Sequence, residues 1–554
     1  MIERFLTGRQ IRQFREYLTA YLMIAPATLL VFTFGIFPVG FALYVSLHKW
    51  RIKKGDFRGL TNYLKAIDNL TYVILFALAL GAIIAAFFIL RRVFRRIAAR
   101  PDGKSLWLLA LPGAVISAAG FAFIRWSVLL LPEVLGIADQ IWGLEKSRQL
   151  FMELLREAFL VPRVYAAWML FLGLFLAALI AFGGTLVFFR DQKVRLPVLA
   201  DFILAWMVLP LGVGLLWVTV RDIRAAYRTA IASGTDPGIW PQVVTISAGV
   251  ILLAGAWRLW KSASEGRSTL GFLARIGGAV ALLVGAWLLI GELPQVIAAG
   301  DEDMWNGLKV TAFYSLGTVP FQLGFSMFLA ILLFQNLWGS EMFRMLFFLP
   351  YVTPTVASAA IFRQLFSNRY QAPINQLLIY LGLEPQQWVR EPQGIFSMLG
   401  ELLGLTLPDW AAGPSMALVV IMIYSIWTYV GYDTVIYLAG LGNISTAIIE
   451  AAEIDGAGSW EKFRYIIFPL LSPTTYFLSL IAIIGTFKAF SHIWVMRQGS
   501  ALGTTDTFSV VIFSEFFEKL RYGYASALAF VLFAIILSLT LVNQRVQGDR
   551  VFYG

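Results

Sequence analysis

The sequence contains no cysteine and only two histidines, His48 and His492. Without cysteine there can be no disulfide, no thiolate metal site and no cysteine nucleophile. Two histidines are also too few for a zinc site built from several histidines, and they stand too far apart for a metalloprotease helix with two histidines and a glutamate. We therefore expect no metal site and no catalytic residues, and a role other than that of an enzyme.

Charged residues are also scarce, at 14% of the 554 residues, whereas ordinary soluble domains carry about 25%. Hydrophobic residues make up 59% of the chain, and the mean hydropathy is +0.74. Such a chain belongs in a lipid bilayer. The 44 Lys and Arg exceed the 33 Asp and Glu, but they are scattered between apolar segments. This distribution favours contact with membrane lipid and argues against a nucleic-acid partner.

Twelve apolar segments approach or exceed the roughly 20 residues that a helix needs to cross the hydrocarbon core. The first segment exceeds that length and contains Pro26 and Pro38, so we expect a retained helix rather than a cleaved signal peptide. The predicted transmembrane helices are Tyr17–Leu47, Thr71–Leu90, Leu106–Leu131, Val164–Phe189, Leu196–Val220, Val243–Trp260, Leu270–Ile290, Val310–Phe334, Met345–Phe366, Met416–Leu441, Ile466–Phe490 and Ala525–Val542.

The orientation of these helices is predicted from the basic residues of the loops. An even number of crossings returns the C terminus to the side of the N terminus. Short cytoplasmic loops are enriched in Lys and Arg. The loop after the second segment fits this rule, and we expect both termini to be cytoplasmic. Its basic residues are Arg91, Arg92, Arg95, Arg96, Arg100 and Lys104.

The loop between the tenth and eleventh segments, residues 443–469, is polar and rich in small residues. Ser445 is placed to cap a short helix, Gly456 to end it, and Ser459 to open a second helix. The small residues let another protein approach closely. The carboxylates of Glu450, Glu453 and Asp455 can accept hydrogen bonds from a basic partner. The pattern predicts a docking helix at the cytoplasmic face.

This loop resembles the EAA motif of permease subunits of binding-protein-dependent ABC importers. The motif reads Glu-Ala-Ala, three residues, Gly, nine residues, then Ile, any residue, Leu and Pro. The matching residues are Glu450, Ala451, Ala452, Gly456, Ile466, Phe468 in place of Leu, and Pro469. The resemblance extends to carbohydrate-importing permeases of the maltose and glycerol-phosphate type, over about Leu18–Tyr63 and Asp303–Arg545.

The resemblance implies an all-α integral membrane protein in which six inserted helices are added to the six-helix core of a type I ABC importer permease. The implied regions are 1–69, with an N-terminal cytoplasmic segment and the first core helix; 70–300, the inserted bundle; and 301–554, with five core helices and the loop 443–469. We call this loop the coupling loop. The implied location is the inner membrane of a prokaryote.

The resemblance also implies partners: a second permease subunit, a dimer of ATPase subunits that carry ATP and Mg, and an external solute-binding protein. Residues Glu450, Ala451, Ala452, Glu453, Asp455 and Gly456 would contact the ATPase, with Glu450 meeting its basic residues. The chain has no ATPase of its own. Gly103-Lys104-Ser105 matches the end of a phosphate-binding loop, but Ala98 stands where the first glycine is required.

The expected cargo is a sugar or an oligosaccharide. Asp433 and Lys488 are charged residues inside predicted helices, and such residues usually serve function. They can bind substrate or form an ion pair that only joins two helices. Matching the family's cavity positions adds Ser425, Tyr429, Ala482, Thr486 and Ala489, and Ser491 can contribute a hydroxyl. Ala482 and Ala489 lack the polar groups found there in several family members. The expected substrate path is Ser425, Tyr429, Asp433, Thr486, Lys488 and Ser491.

Two alternatives to the importer remain open from the sequence. An ion-coupled secondary transporter of about twelve helices would need a coupling ion and internal repeats, and we detect no repeat. A membrane-embedded enzyme would need a combination of nucleophile, base and metal ligands that the chain does not offer. The inserted helices are expected to form a peripheral scaffold or, alternatively, to contact a binding protein or a lipid.

Overall fold

The structure is a computed structural model that describes residues 8–99, 103–141, 143, 147–188, 192–232, 234, 236–263, 269–291, 299–335 and 338–547. Arg100 of the predicted basic loop lies outside these residues. The chain divides into two compact units. Unit 1 comprises Met1–Asp68 and Ala298–Gly554, and unit 2 comprises Asn69–Ile297.

Unit 1 begins with two helices joined by a π-helical turn, followed by a short antiparallel hairpin in which His48 pairs with Phe57. These elements are α1 (Gly8–Val31), α2 (Phe37–Ser46), β1 (His48–Trp50), β2 (Lys54–Phe57) and α3 (Thr61–Ile67).

The regular secondary structure of unit 2 is helical over its described residues. Its helices are α4 (Leu70–Ala98), α5 (Ala110–Gln140), α6 (Arg148–Leu160), α7 (Pro162–Phe188), α8 (Gln192–Ala232), α9 (Ile239–Ala263) and α10 (Thr269–Ile290), with a 3₁₀ helix at Gly103–Leu109. Helix α4 packs against α8, α5 against α7, and α9 against α10. The buried carboxylate of Asp201 on α8 accepts a hydrogen bond of 2.5 Å from Arg96 on α4.

The second part of unit 1 contains the remaining helices. They are α11 (Glu302–Phe334), α12 (Ser340–Val352), α13 (Thr355–Leu365), α14 (Pro373–Tyr380), α15 (Ile395–Leu402), α16 (Met416–Gly442), α17 (Thr446–Ile454), α18 (Ser459–Lys462), α19 (Phe468–Leu470), α20 (Ser472–Phe487), α21 (Ser491–Met496), α22 (Phe508–Phe513) and α23 (Tyr522–Gln547). Shorter 3₁₀ helices lie at Trp388–Arg390, Asp409–Ala411 and Gly499–Ala501, and π-helical turns at Phe32–Ile36, Phe463–Ile467 and Ser514–Glu518.

Ten helices or helix runs of the described chain are long and apolar enough to cross a membrane, and two bent helix pairs raise the number to as many as twelve. The prediction of an all-α membrane protein with about twelve transmembrane helices is therefore confirmed. Many large apolar side chains on these helices are exposed. This is the expected pattern for helices that face lipid, because lipid tails are as apolar as the side chains themselves.

The predicted transmembrane segment Met345–Phe366 is a bent helix pair rather than one straight helix. Helices α12 and α13 meet at 95°. Pro354 causes the break, because proline has no N–H to donate and disfavours the helical conformation in the residue before it. Thr353 is accordingly extended, with φ −67° and ψ 138°.

The predicted segment Ile466–Phe490 is bent as well. The helical runs Ser459–Leu470 and Ser472–Phe487 meet at 61° around Leu471. Pro473 lies in the first turn of α20, where a missing N–H is tolerated, and so marks the start of a new helix. The helix ends at Phe487, and Lys488 follows it as the C-cap residue.

Helices α11 and α16 pack along each other in the core of unit 1, with Val310 and Tyr314 against Leu418, Ile421 and Met422. Helix α12 also packs against α16. A Cβ atom added at Gly431 would stand 1.7 Å from the carbonyl oxygen of Phe347. The absence of a side chain at Gly431 therefore sets the close approach of α12 to α16.

Candidate functional site: a polar cavity and an exposed loop helix

Unit 1 contains an open cavity of about 340 Å³, which falls within the roughly 300–1,000 Å³ range of small-ligand pockets. Its walls come from α11, α12, α16 and α20, the first residue of α13, the segment that leads into α21, and the first two residues of α21. The lining residues are Tyr314, Thr318, Gln322, Tyr351, Thr355, Ser425, Tyr429, Tyr432, Asp433, Ile481, Ala482, Gly485, Thr486, Lys488, Ala489, Phe490, Ser491 and His492.

Every residue of the predicted substrate path lies in this wall. Helix α16 supplies three of them, α20 supplies one, and two lie at or beyond the end of α20. They are Ser425, Tyr429, Asp433, Thr486, Lys488 and Ser491. Ala482 and Ala489, taken from the family pattern, line the cavity as well. The structure brings the predicted residues together, and their contact with cargo stays a prediction.

The carboxylate of Asp433 is buried and accepts a hydrogen bond of 2.6 Å from the side-chain amide of Gln322 on α11. Lys488 is exposed, and no ion pair or side-chain hydrogen bond of Lys488 occurs among the residues that the structure describes. An Asp433–Lys488 ion pair is thus not formed in this part of the chain. Gln322 is the polar partner of Asp433, and Lys488 presents an uncompensated positive charge beside the cavity.

A second polar group in the cavity wall joins three helices. The hydroxyl of Tyr314 lies 2.5 Å from Ser425 Oγ and 2.8 Å from His492 Nε2, and Ser425 Oγ lies 3.2 Å from the same nitrogen. Thr486 Oγ1 donates to Ser315 Oγ across 2.9 Å. These side chains are buried and mutually bonded, so their positions are fixed before any ligand arrives.

Three tyrosine rings form one side of the cavity. The rings of Tyr351 and Tyr432 are stacked, with centroids 4.5 Å apart and planes at 23°, and Tyr429 meets Tyr351 edge-on at 5.9 Å and 62°. Flat apolar rings beside hydroxyl, amide and carboxylate groups suit a ligand that carries both apolar faces and hydroxyl groups.

The contribution of α11 was missed by reasoning from the sequence, which relied on charged residues and on family positions in α16 and α20. Tyr314, Thr318 and Gln322 are spaced four residues apart, and this spacing places them on one face of a helix. Polar residues at this spacing in an apolar transmembrane segment could have been used to predict that α11 lines the cavity. The buried hydroxyl of Thr318 has no hydrogen-bond partner in the described structure.

The second candidate site is the coupling loop. Helix α17 is terminated by Gly456, which follows the C-cap residue Asp455 and has the left-handed conformation, with φ +81°. The N–H of Gly456 donates to the carbonyl of Glu453, and that of Ala457 to the carbonyl of Ala452, which is the Schellman pattern. The predicted end of the helix is correct. Ser445 occupies the N-cap position as predicted, but its side chain makes no capping hydrogen bond.

The acidic side chains of α17 differ in their partners. Glu453 forms an ion pair of 2.6 Å with Lys462, whereas Glu450 is exposed and has no side-chain partner among the described residues. Ile454 and Trp460 are 87% and 69% exposed. A free carboxylate next to uncovered apolar side chains is typical of a surface that contacts another protein.

Residues 322–549 match the family of the "Binding-protein-dependent transport system inner membrane component". The chain is 33% identical over 270 residues, 48% of its own length and 79% of the relative, to a probable ABC transporter permease protein, YesP, of Bacillus subtilis. It is 28% identical to the arabinooligosaccharides transport system permease protein AraP of the same organism, over 44% of this chain and 71% of AraP. It is 29% identical to the lactose transport system permease protein LacF of Rhizobium radiobacter, over 45% of this chain and 78% of LacF.

The matched region contains the whole coupling loop and most of the cavity wall, and the resemblance drawn from the EAA motif is confirmed. These similarities do not favour a secondary transporter. The chain belongs to the family of binding-protein-dependent transport system inner membrane components, and it is a multi-pass permease subunit of an ABC transporter.

Proposed function

We propose that this permease carries a sugar or a short oligosaccharide through the cavity of unit 1 as part of an ATP-driven importer. The observation that carries the proposal is the cavity lining, in which three tyrosine rings stand beside hydroxyl, amide and carboxylate groups. A sugar ring has apolar C–H faces that pack on aromatic rings, and hydroxyls that donate and accept hydrogen bonds. The names of the relatives AraP and LacF, which refer to arabinooligosaccharides and lactose, agree with this cargo.

Each predicted residue has a role in this proposal. One oxygen of Asp433 is bonded to Gln322, and the other can accept from a sugar hydroxyl. Lys488 and Ser491, which follow α20, donate to the cargo, and Tyr429 offers a ring face. Ser425 and Thr486 are already hydrogen-bonded within the protein, so they shape the wall and offer only their remaining lone pairs.

The remaining assembly is proposed from the coupling loop. A dimer of ATPase subunits with bound ATP and Mg would contact α17, with Glu450 facing a basic residue of the ATPase. A second permease subunit would complete the path, and an external solute-binding protein would deliver the cargo. Both termini and the coupling loop would be cytoplasmic. The free carboxylate of Glu450 and the uncovered Ile454 and Trp460 support this arrangement.

The assembly is tested by co-expressing the chain with its genomic neighbours and purifying it through a tag at the C terminus. An ATPase is expected to co-elute with the wild type and to be lost with Glu450→Lys. Glu384→Lys is the matched control, because it makes the same charge change on an exposed residue outside the coupling loop. Full ATPase recovery with Glu450→Lys would contradict the proposed contact.

The cargo is tested by uptake of labelled sugars into proteoliposomes that contain the purified complex, with the binding protein outside and ATP inside. Uptake that depends on ATP and falls with Tyr429→Ala supports the proposal. Uptake that proceeds without ATP and follows a proton or sodium gradient would contradict it and favour an ion-coupled transporter.

A further inference from the structure

Helix α8 of unit 2 is much longer than one membrane crossing. Its 41 residues span about 61 Å at 1.5 Å per residue, about twice the roughly 30 Å of a hydrocarbon core. The apolar part ends near Val220, and the arginines Arg221, Arg224 and Arg228 follow. A groove of about 480 Å³ lies at this boundary. Its described lining residues are Val213, Leu216, Trp217, Val220, Arg221, Arg224, Ala225 and Arg228.

The three arginines lie on one side of the helix. At about 100° per residue, Arg221, Arg224 and Arg228 fall within a sector of about 60°, and Trp217 lies inside the same sector one turn earlier. Along the helix axis the arginines cover about 10 Å. The groove therefore has a cationic end formed by the guanidinium groups and an apolar end on the side of the membrane-spanning segment.

The positive charge of this stripe is only partly compensated. Arg221 forms an ion pair of 3.4 Å with Asp222, and its guanidinium lies 5.1 Å from the centre of the Trp217 ring. Arg224 and Arg228 are exposed and form no ion pair with any residue that the structure describes. Because Asp222 compensates one of the three arginines, two positive charges remain for an external anion.

The apolar end of the groove is uncovered as well. Trp217 and Val213 are 62% and 52% exposed. Tryptophan is enriched where a membrane protein passes the headgroup level, and arginine binds phosphate through two parallel hydrogen bonds. The exposed apolar wall thus continues directly into uncompensated arginines at the headgroup level. This arrangement matches an amphiphile with a phosphate head group.

We propose that this groove binds an anionic phospholipid. The phosphate lies on Arg224 and Arg228 with Arg221 beside it, and an acyl chain runs along Leu216, Trp217 and Val213. A free phosphate ion would satisfy the arginines but leave the apolar wall exposed, so the lipid is the occupant that uses both ends of the groove. The proposal rests on unit 2 alone and does not depend on the nature of the cargo.

The experiment is native mass spectrometry of the purified full-length protein, titrated with phosphatidylglycerol. The wild type is expected to retain one phosphatidylglycerol with an affinity at least tenfold higher than for phosphatidylcholine. The variant Arg221→Gln/Arg224→Gln/Arg228→Gln is expected to lose this preference. The control Arg91→Gln/Arg95→Gln/Arg258→Gln removes the same charge from exposed arginines that also lack ion pairs in the described chain. This control is expected to retain the preference for phosphatidylglycerol.

Two further variants test the proposal even if the triple glutamine variant fails to fold. Arg224→Gln changes one exposed side chain and is expected to weaken binding about tenfold, the typical effect of losing a hydrogen bond to a charged group. Arg221→Lys/Arg224→Lys/Arg228→Lys preserves the charge but not the paired donors, and is expected to weaken binding as well. If the lysine variant binds the lipid as tightly as the wild type, positive charge alone attracts the lipid. The proposal of a specific site would then be overturned.

Inorganic phosphate distinguishes the two sources of the anion. It is expected not to displace phosphatidylglycerol at millimolar concentration. Displacement by phosphate, equal retention of the lipid by the triple glutamine variant, or equal loss with the control triple variant would each overturn the proposal.

Discussion

Replacement of Gly431 by alanine tests the close packing that shapes the cavity. The added Cβ would lie 1.7 Å from the carbonyl oxygen of Phe347, whereas ordinary contacts begin at 3.4 Å. Helix α12 must therefore move away from α16 by about 1.7 Å. Overpacking of this kind costs about 1–3 kcal/mol. We expect the upper end, about 3 kcal/mol, because the opposing atom belongs to the backbone and cannot change rotamer.

A loss of about 3 kcal/mol corresponds to a fall of roughly 6–12 °C in the unfolding temperature of a domain of about 150–250 residues. We expect this shift in thermal unfolding of the detergent-purified protein, followed by tryptophan fluorescence. Tyr351 lies on α12 and stacks on Tyr432 of α16, so the same displacement would open the tyrosine wall and reduce sugar uptake.

The matched control is Gly324→Ala on α11, because a Cβ added at Gly324 meets nothing within 4 Å. Alanine favours a helix over glycine by about 1 kcal/mol, so this variant is expected to be as stable as the wild type or slightly more stable. If Gly431→Ala unfolds at the same temperature as Gly324→Ala, the close approach of α12 and α16 does not depend on the glycine.

Asp433→Asn keeps an oxygen that can accept from Gln322, but it removes the charge and replaces the second oxygen by an NH2 group. We expect an unchanged unfolding temperature and at least about a tenfold loss of sugar uptake, since a hydrogen bond to a charged group contributes about 1.5–3 kcal/mol; normal uptake would place Asp433 outside the path. Gly456→Ala puts a Cβ on a residue with φ +81°, which costs about 1–2 kcal/mol. We expect weaker recovery of the ATPase in the co-purification assay, with Gly442→Ala, which has open space around it, behaving as wild type. Equal ATPase recovery by the two glycine variants would show that the shape of this turn does not govern docking.

Length and hydropathy alone located nearly all of the membrane helices, because each span must satisfy its own backbone hydrogen bonds and so appears as a long apolar run. The breaks at Thr353 and Leu471 were not predicted. A proline inside an apolar run can kink a helix slightly or end it, and the outcome depends on packing. Pro320 lies within the continuous helix α11, whereas Pro354 follows a break of 95°.

For the candidate site, the family pattern found the cavity residues on α16 and α20, but the partner of Asp433 could not be read from the sequence. Gln322 is 111 positions away, and only the packing of α11 against α16 brings the two side chains together. The exposed position of Glu450 followed from the motif. The pairing of Glu453 with Lys462 depends on how the coupling loop folds back, which local spacing does not determine.

The backbone structure at the C-terminal end of α17 affects the free energy with which a partner protein docks. The Schellman turn at Gly456 and the hydrogen bond from the N–H of Gly458 to Glu461 fix the chain that leaves the helix. Ordering a residue costs about 1–2 kcal/mol of conformational entropy. In this loop the residues are already ordered when the protein folds, so the cost does not weaken association with a partner. A partner that binds this loop therefore meets a preorganised surface. A rigid helix also passes a displacement of the partner to the adjoining membrane helices instead of absorbing it.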